Sequence, residues 1–334
     1  MRTQERLLPG LPSVCRATVV PVLAALLVLA AVGCGSGDDD AEAGSGDSGT
    51  VAVEHSYGTT EVPVRPERIV TLDTQWTDVL LALDTSPVGY LADPNVEGDL
   101  PWRGDRLEGV TAIEATDSLP YERIASLQPD LILVTYLATE RSDYETLSDI
   151  APTIPSLSAN QVDSWQDMAR TAGRFLDASD EADALVADVD GQVAAVADAL
   201  PGLDGKTFAL VNFVPGEAFY VVADPDDGAN VVFAQLGLEL PRRLLEAADD
   251  VSGRVELSLE QASLLDADVL VLFTNGGQPT EIAGYDQLPA VVGGAVAVLD
   301  YAEVVGLNTP TPLSVPYSLD LIRPALEAAS LRAE

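Results

Sequence analysis

Beyond residue 50, short apolar runs alternate with stretches in which apolar positions recur every three or four residues. VAVEHSYGTTEVPVRPERIV (51–70) alternates apolar and polar positions around YGTT, which predicts a hairpin feeding a buried strand, RIVTL. TQWTDVLLALD then has helical spacing, PVGYL reads as a strand, and a helix from about Pro120 to Gln128 breaks at Pro129 before the strand DLILVTY. The pattern restarts after residue 201 with TFALVNFV and YVVAD as strands, NVVFAQLG as a helix and AVAVLD as a strand. It closes on SLDLIRPALEAAS, a helix that Pro324 bends or starts. Strands alternating with helices argue for a mostly parallel α/β layout.

The longest periodic stretch, SDEADALVADVDGQVAAVADAL (179–200), lies between the two halves. Ser179 fits an N-cap, acidic residues fill the first turn, and Pro201 with Gly202 ends the pattern. Ala182, Leu185, Val186, Val189, Val193, Val196 and Leu200 form one apolar face. A helix of that length spans roughly 30 Å. The expected architecture is therefore two Rossmann-like α/β lobes, residues 51–178 and 201–334, joined by a rigid helix over 179–200, with a ligand cleft between them. Gly191 inside the helix costs about 1 kcal/mol relative to alanine.

One segment is written twice. LPYERIASLQPDLILVTY (119–136) and LSLEQASLLDADVLVLFT (257–274) align without a gap, so that Glu122 matches Glu260 and Asp130 matches Asp268. The offset is about 140 residues, the size of a domain and too long for a solenoid repeat. In the second copy Ser258 and Gln261 have the spacing of a capping box, which frees Glu260 from capping duty. In the first, Pro120 pre-sets the opening turn and Glu122 takes the matching place. Two readings stay open: an acid in a first turn that complements the helix dipole, or one carboxylate per lobe forming a two-pronged docking surface.

Residues 1–33 stand apart from this pattern. MRTQERLLPGLPSVCR carries three arginines and one glutamate, ATVVPVLAALLVLAAV is an apolar run, and small residues precede Cys34. This resembles a bacterial lipobox, with Ala31 where leucine is commonest, and implies cleavage before Cys34 and a lipid on it. A spanning anchor is the alternative, but the run is short for a hydrocarbon core of about 30 Å. Residues 34–50 are small and acidic and predict a disordered tether with a span of roughly 20 Å. With Cys15 in the leader and Cys34 lipidated, no disulfide can form. The formal charge of −37 excludes nucleic acid as a partner.

GTTEVPVRPERIVTL, YERIASLQPDLILV, SLEQASLLDADVLVL and NTPTPLSVPYSLDLI, in this order behind a lipobox, resemble the ferric-siderophore and cobalamin binding proteins of bacterial ABC importers, of the helix-linked bilobal type. The resemblance covers the chain beyond Val51. It implies a monomeric, lipid-anchored protein outside the cytoplasm, without cofactor or catalysis, that delivers a ferric siderophore to an ABC permease and its ATPase. It further implies that Glu122 and Glu260 meet arginines of the permease. Haem or cobalamin as cargo, or an enzyme on a chelatase-like fold, are the alternatives. Several siderophore binders carry an arginine where this chain has Thr116. The enzyme reading lacks a nucleophile elbow, a Walker A loop, a dinucleotide fingerprint and any available cysteine.

A bare zinc or manganese site needs several histidines, and His55 is the only one. A chelate-wrapped iron wants aromatic walls and arginines at the carboxyl ends of strands. The candidates are Trp76, Trp102, Arg103, Tyr136, Arg141, Phe213, Tyr220, Arg242, Phe273 and Asn275.

Overall fold

The structure, a computed structural model, describes residues 49–114, 118–136, 140–248 and 254–332. The leader, Cys34, most of the tether and Thr116 lie outside the described residues. Thr50, expected to end the tether, opens strand β1 instead.

β1 (Thr50–His55) and β2 (Gly58–Pro63) form the expected antiparallel hairpin, with Val51 opposite Val62. Its turn is Ser56 and Tyr57, two positions ahead of the centre of YGTT, and Gly58 takes the positive φ of 139° that the turn exit requires. His55 is buried in it, its Nε2 2.9 Å from Thr60 Oγ1, and burial lowers its pKa. No group of three or more metal-ligating side chains occurs among the described residues.

The first sheet comprises β3 (Ile69–Thr71), β4 (Gly89–Leu91), β5 (Thr111–Ile113), β6 (Leu131–Leu133) and β7 (Thr153–Ile154), all parallel, in the order β5-β4-β3-β6-β7. The second comprises β8 (Phe208–Val214), β9 (Ala218–Val222), β10 (Arg254–Ser258), β11 (Val269–Phe273) and β12 (Val296–Leu299) in the order β10-β9-β8-β11-β12. Its β8, β11 and β12 run parallel, while β9 and β10 form an antiparallel meander at one edge. Helices α1 (Thr74–Ala82), α2 (Tyr121–Ser126), α3 (Arg141–Ser148) and α4 (Trp165–Leu176) belong to the first half. After α5 (Ser179–Ala199) come α6 (Val231–Gln235), α7 (Arg242–Ala247), α8 (Pro289–Gly293), α9 (Tyr301–Asn308) and α10 (Ser314–Ser330).

Parallel strands covered on both faces read as unbroken apolar runs, because neighbouring side chains enter different cores. Along β6 and its exit, Leu131 and Leu133 join the main apolar cluster, whereas Ile132 and Val134 join a smaller one with Ile113, Ile124 and Leu147. The main cluster continues through α4 and α5 into the second sheet, so Trp165 and Phe175 share it with Val186, Phe208 and Phe233. The two sheets thus stand on one continuous core.

The expected face of α5 is correct: Ala182, Val186, Val189, Val193 and Val196 are buried, and Leu185 and Leu200 pack partly buried against them. Ser179 is the first helical residue and does not cap; Ala178 holds the cap position, its N–H bonded to Gly173 O at 2.8 Å. Pro324 lies inside α10, which begins at Ser314, earlier than its periodicity indicates. Among the described residues no helix is long and apolar enough to cross a membrane.

Candidate ligand cleft between the two sheets

The duplicated aspartate does the same work twice. Asp130, just before β6, accepts hydrogen bonds from the backbone N–H groups of Glu67 (2.7 Å) and Arg68 (2.9 Å) ahead of β3. Asp268, just before β11, accepts from Thr207 N (2.9 Å) and Thr207 Oγ1 (3.0 Å) ahead of β8. Each carboxylate clamps the entrances of two adjacent parallel strands and sets their register. The carboxyl ends of those strands are thereby brought level, and there a cavity of about 280 Å³ opens.

Its wall draws on both halves. Thr74 at the start of α1, Asp93 beyond β4 and Tyr136 beyond β6 come from the first; Asn212 on β8, Arg254 at the start of β10, Phe273 at the end of β11 and one face of α9 come from the second. Tyr301 Oη donates to Asp93 Oδ2 at 2.8 Å across the cleft, and its ring meets Phe273 edge-on at 5.9 Å between centroids. Burial and the bond to Asp93 push the Tyr301 phenol up to about 12. Tyr136 as a residue is 38% exposed while its hydroxyl lies against Thr74, and burial of the hydroxyl raises its pKa well beyond the usual range. Beneath it, Asp73 caps α1: its carboxylate accepts from Trp76 N (2.8 Å) and Thr135 N (2.9 Å), and burial pushes it up to about 7.

Arg254 is the cation of the wall. Its Nη2 donates to Asn308 O at 2.8 Å, and its Nε lies 3.9 Å from Asp227 Oδ2, whose side chain is wholly buried. Desolvation lowers the arginine's pKa and Asp227 pulls it back up, so the guanidinium remains charged at physiological pH.

Of the residues nominated from the sequence, Tyr136 and Phe273 line the cavity, and Asn275 supports it by donating to Asn212 Oδ1 and to Phe213 O. The structure does not bring the others there. Trp76 is fully buried against Phe175 in a helix whose residues from Thr74 to Leu81 are all buried. Phe213 is buried and stacked on Phe219 across the β8–β9 pair. Trp102 and Arg103 are held inside by Asp78, which accepts from Trp102 Nε1 at 2.7 Å and from Arg103 Nε at 2.5 Å; Arg103 also pairs with Asp99 at 2.9 Å. Arg141 lies over the Tyr57 ring at 5.1 Å, Tyr220 donates to Glu217 on β9's partly exposed face, and Arg242 opens α7 in solvent. Asp93, Arg254 and Tyr301 were missed. Asp93 and Tyr301 each follow a strand, Tyr301 immediately after VLD, so the rule that found Tyr136 reaches them; Arg254 precedes its strand and the rule does not.

The motif NTPTPLSVPYSLDLI crosses back to the first half. Pro310 O accepts from Gln75 Nε2 (3.0 Å), Thr311 Oγ1 donates to Asp78 Oδ2 (2.8 Å), and Tyr317 packs 5.7 Å from Trp102. Away from the cleft, Glu122 is exposed in the first turn of α2. Glu260 is exposed at the start of a 3-10 helix, Leu259–Leu265, and not of an α-helix. Gln261 Oε1 accepts from Ser258 N at 2.9 Å as the capping box requires. The backbone N–H of Glu260 itself and the Ser258 hydroxyl hold its carboxyl below the usual range.

Known proteins share this arrangement. The probable siderophore-binding lipoprotein YfiY of Bacillus subtilis (strain 168) is 31% identical over 261 residues, which span 75% of this chain and 77% of that protein. The Fe(3+)-citrate-binding protein YfmC of the same organism is 27% identical over 281 residues, 83% of each chain. The crystal structure of PiaA from Streptococcus pneumoniae TIGR4 in complex with ferrichrome superposes with a TM-score of 0.71 at 27% identity, over 85% of this chain and 99% of that one. Residues 69–292, from the first strand of the first sheet almost to the last strand of the second, match the periplasmic binding protein family. The two five-stranded sheets superpose on those of a known binding protein, and the chain belongs to the periplasmic binding protein family.

Proposed function

We propose that this protein is the extracytoplasmic substrate-binding lipoprotein of an ABC importer, which captures a ferric siderophore in the cleft and passes it to the permease and its ATPase. The observation that carries this reading is the mixed aromatic and amide wall of a cleft shared by two sheets, in a family whose relatives include siderophore- and ferric-citrate-binding proteins. Phe273, Tyr136 and Tyr301 offer apolar surface, while Asn212 and Asn308 offer amides to an oxygen-rich chelate. The raised pKa of both phenols disfavours the phenolates that direct ligation of bare iron would require. The protein carries its cargo without transforming it and holds no resident cofactor. Cys34 bears the lipid, residues 35–49 tether the body, and Glu122 and Glu260 dock one lobe each on the permease. The lobes are residues 51–178 and 201–334, with 179–200 as the connecting helix.

Fluorescence titration of the protein with ferric siderophores, haem, cobalamin and free ferric ion tests this. A ferric siderophore binds at micromolar concentration or below, and Tyr136→Ala weakens it about tenfold. Binding of haem or cobalamin alone would leave the transporter class and replace the cargo.

A further inference from the structure

We infer that the cleft sorts ferric complexes by charge and that Asp93 is the residue that sorts them: the cargo is a neutral or cationic ferric hydroxamate and not an anionic citrate or catecholate complex. The inference rests on the ferric-siderophore reading above and names the class within it.

The relatives do not decide the class, since one is named for a ferric citrate complex and another holds ferrichrome. The charges of this cleft do. Among the described residues that line it, only Asp93 and Arg254 are formally charged. Arg254 is already balanced: the buried carboxylate of Asp227 stands 3.9 Å away and Asn308 O takes one of its N–H groups. At a ligand in the cleft the carboxylate behind it offsets part of the field of Arg254. Arg254 Nε is itself buried on the Asp227 side and makes no hydrogen bond there.

Asp93 has no such balance. Its carboxylate accepts from Tyr301 Oη (2.8 Å), Asn95 N (2.9 Å) and Asn95 Nδ2 (3.2 Å), all neutral donors, and among the described residues it forms no ion pair. The segments 115–117, 137–139 and 249–253 contain no lysine or arginine that could add a cation. Arg103 is locked onto Asp78 and Asp99, and Arg141 lies over Tyr57. The charges of Asp93, Arg254 and Asp227 therefore sum to one negative charge, and Asp93 is the member of the three without an ionic partner. Iron(III) held by three hydroxamates is neutral, and becomes cationic when the ligand carries a free amine. Tris-catecholate and citrate complexes are anionic. A half-buried carboxylate about 6 Å from a unit charge shifts affinity roughly tenfold, and more against a multiply charged anion.

The test titrates the full chain with cationic ferrioxamine B, neutral ferrichrome, ferric citrate and a triply anionic ferric tris-catecholate. The wild type should bind the first two at least about tenfold tighter than the last two. Asp93→Asn, which can still accept from Tyr301, should weaken ferrioxamine B about tenfold, strengthen the anions by at least as much, and move ferrichrome by less than about threefold. Asp93→Glu keeps the charge and should keep the wild-type order. Tightest binding of an anionic complex, or Asp93→Asn ratios equal to wild type, would overturn the inference while leaving the siderophore reading intact. Binding of none of the four complexes would overturn both.

Discussion

Asp73 holds two backbone N–H groups on one carboxylate, yet burial outweighs those bonds and pushes it from 3.8 to about 7. Between those values the folded protein holds a proton that the unfolded chain has released. The stability tied to this group is full below about pH 3.8, falls as the pH rises to about 7, and is constant above. Against Asp73→Asn, which does not titrate, the wild type should lose up to about 1.4 kcal/mol per pH unit across that window in urea unfolding, with a flat difference above it. A difference flat across the whole window would show the carboxyl to be ionised throughout. Arginines illustrate why residue roles are only half legible. Arg103 and Arg254 look alike in sequence, but Asp78 and Asp99 hold one in the core while the other stands at the cleft. The partners lie from four to 27 residues away, and nothing in local periodicity selects between them.

At the scale of elements, α5 was read almost to the residue because its apolar face repeats for five turns and Pro201 stops it. Gly191 does not bend it out of helix: the element runs unbroken through an exposed position where an added Cβ meets nothing within 4 Å. Gly191→Ala should therefore stabilise the protein by about 0.5–1 kcal/mol, read as a higher urea midpoint with unchanged slope. A lower midpoint would mean that the helix needs the glycine's freedom. The termini were less legible. Ser179 lost the cap because Ala178 N turns back to Gly173 O, a contact set by how α4 packs on α5. α10 starts at Ser314 because Ser314 Oγ donates to Gly306 O and accepts from Thr311 N, a local knot that hydrophobic spacing does not register.

For the whole molecule, the duplicated segment places one exposed glutamate in each half, neither of them in the cleft's lining. Glu122→Ala with Glu260→Ala should abolish uptake and stimulation of the importer's ATPase in proteoliposomes while ligand affinity stays within about twofold. Normal transport with a lowered urea midpoint would assign both carboxylates to the ends of their helices alone. The one continuous core through α4 and α5 joins the two halves, as described from Gly49 onward, into a single compact unit. Binding energy is then spread over a wall that is already assembled, with Tyr301 bonded to Asp93 across the cleft.

Periodicity by itself determined the alternation of strands and helices, the long helix between two similar halves and the strand ends at which a site could form, because these depend on which neighbouring positions must leave water together. The repeat of Glu122 and Asp130 in Glu260 and Asp268 added the duplicated architecture. Only the tertiary structure decided which side chains stand at the cleft. Trp76, Trp102 and Phe213 are as aromatic as Phe273, and they are buried because their own helix, loop or strand turns them inward. Asp93 meets Tyr301 across 208 residues of chain and Arg254 finds Asp227 beside another strand. The charge of the site arises from those long-range pairs, and a pair exists only after the two sheets have met.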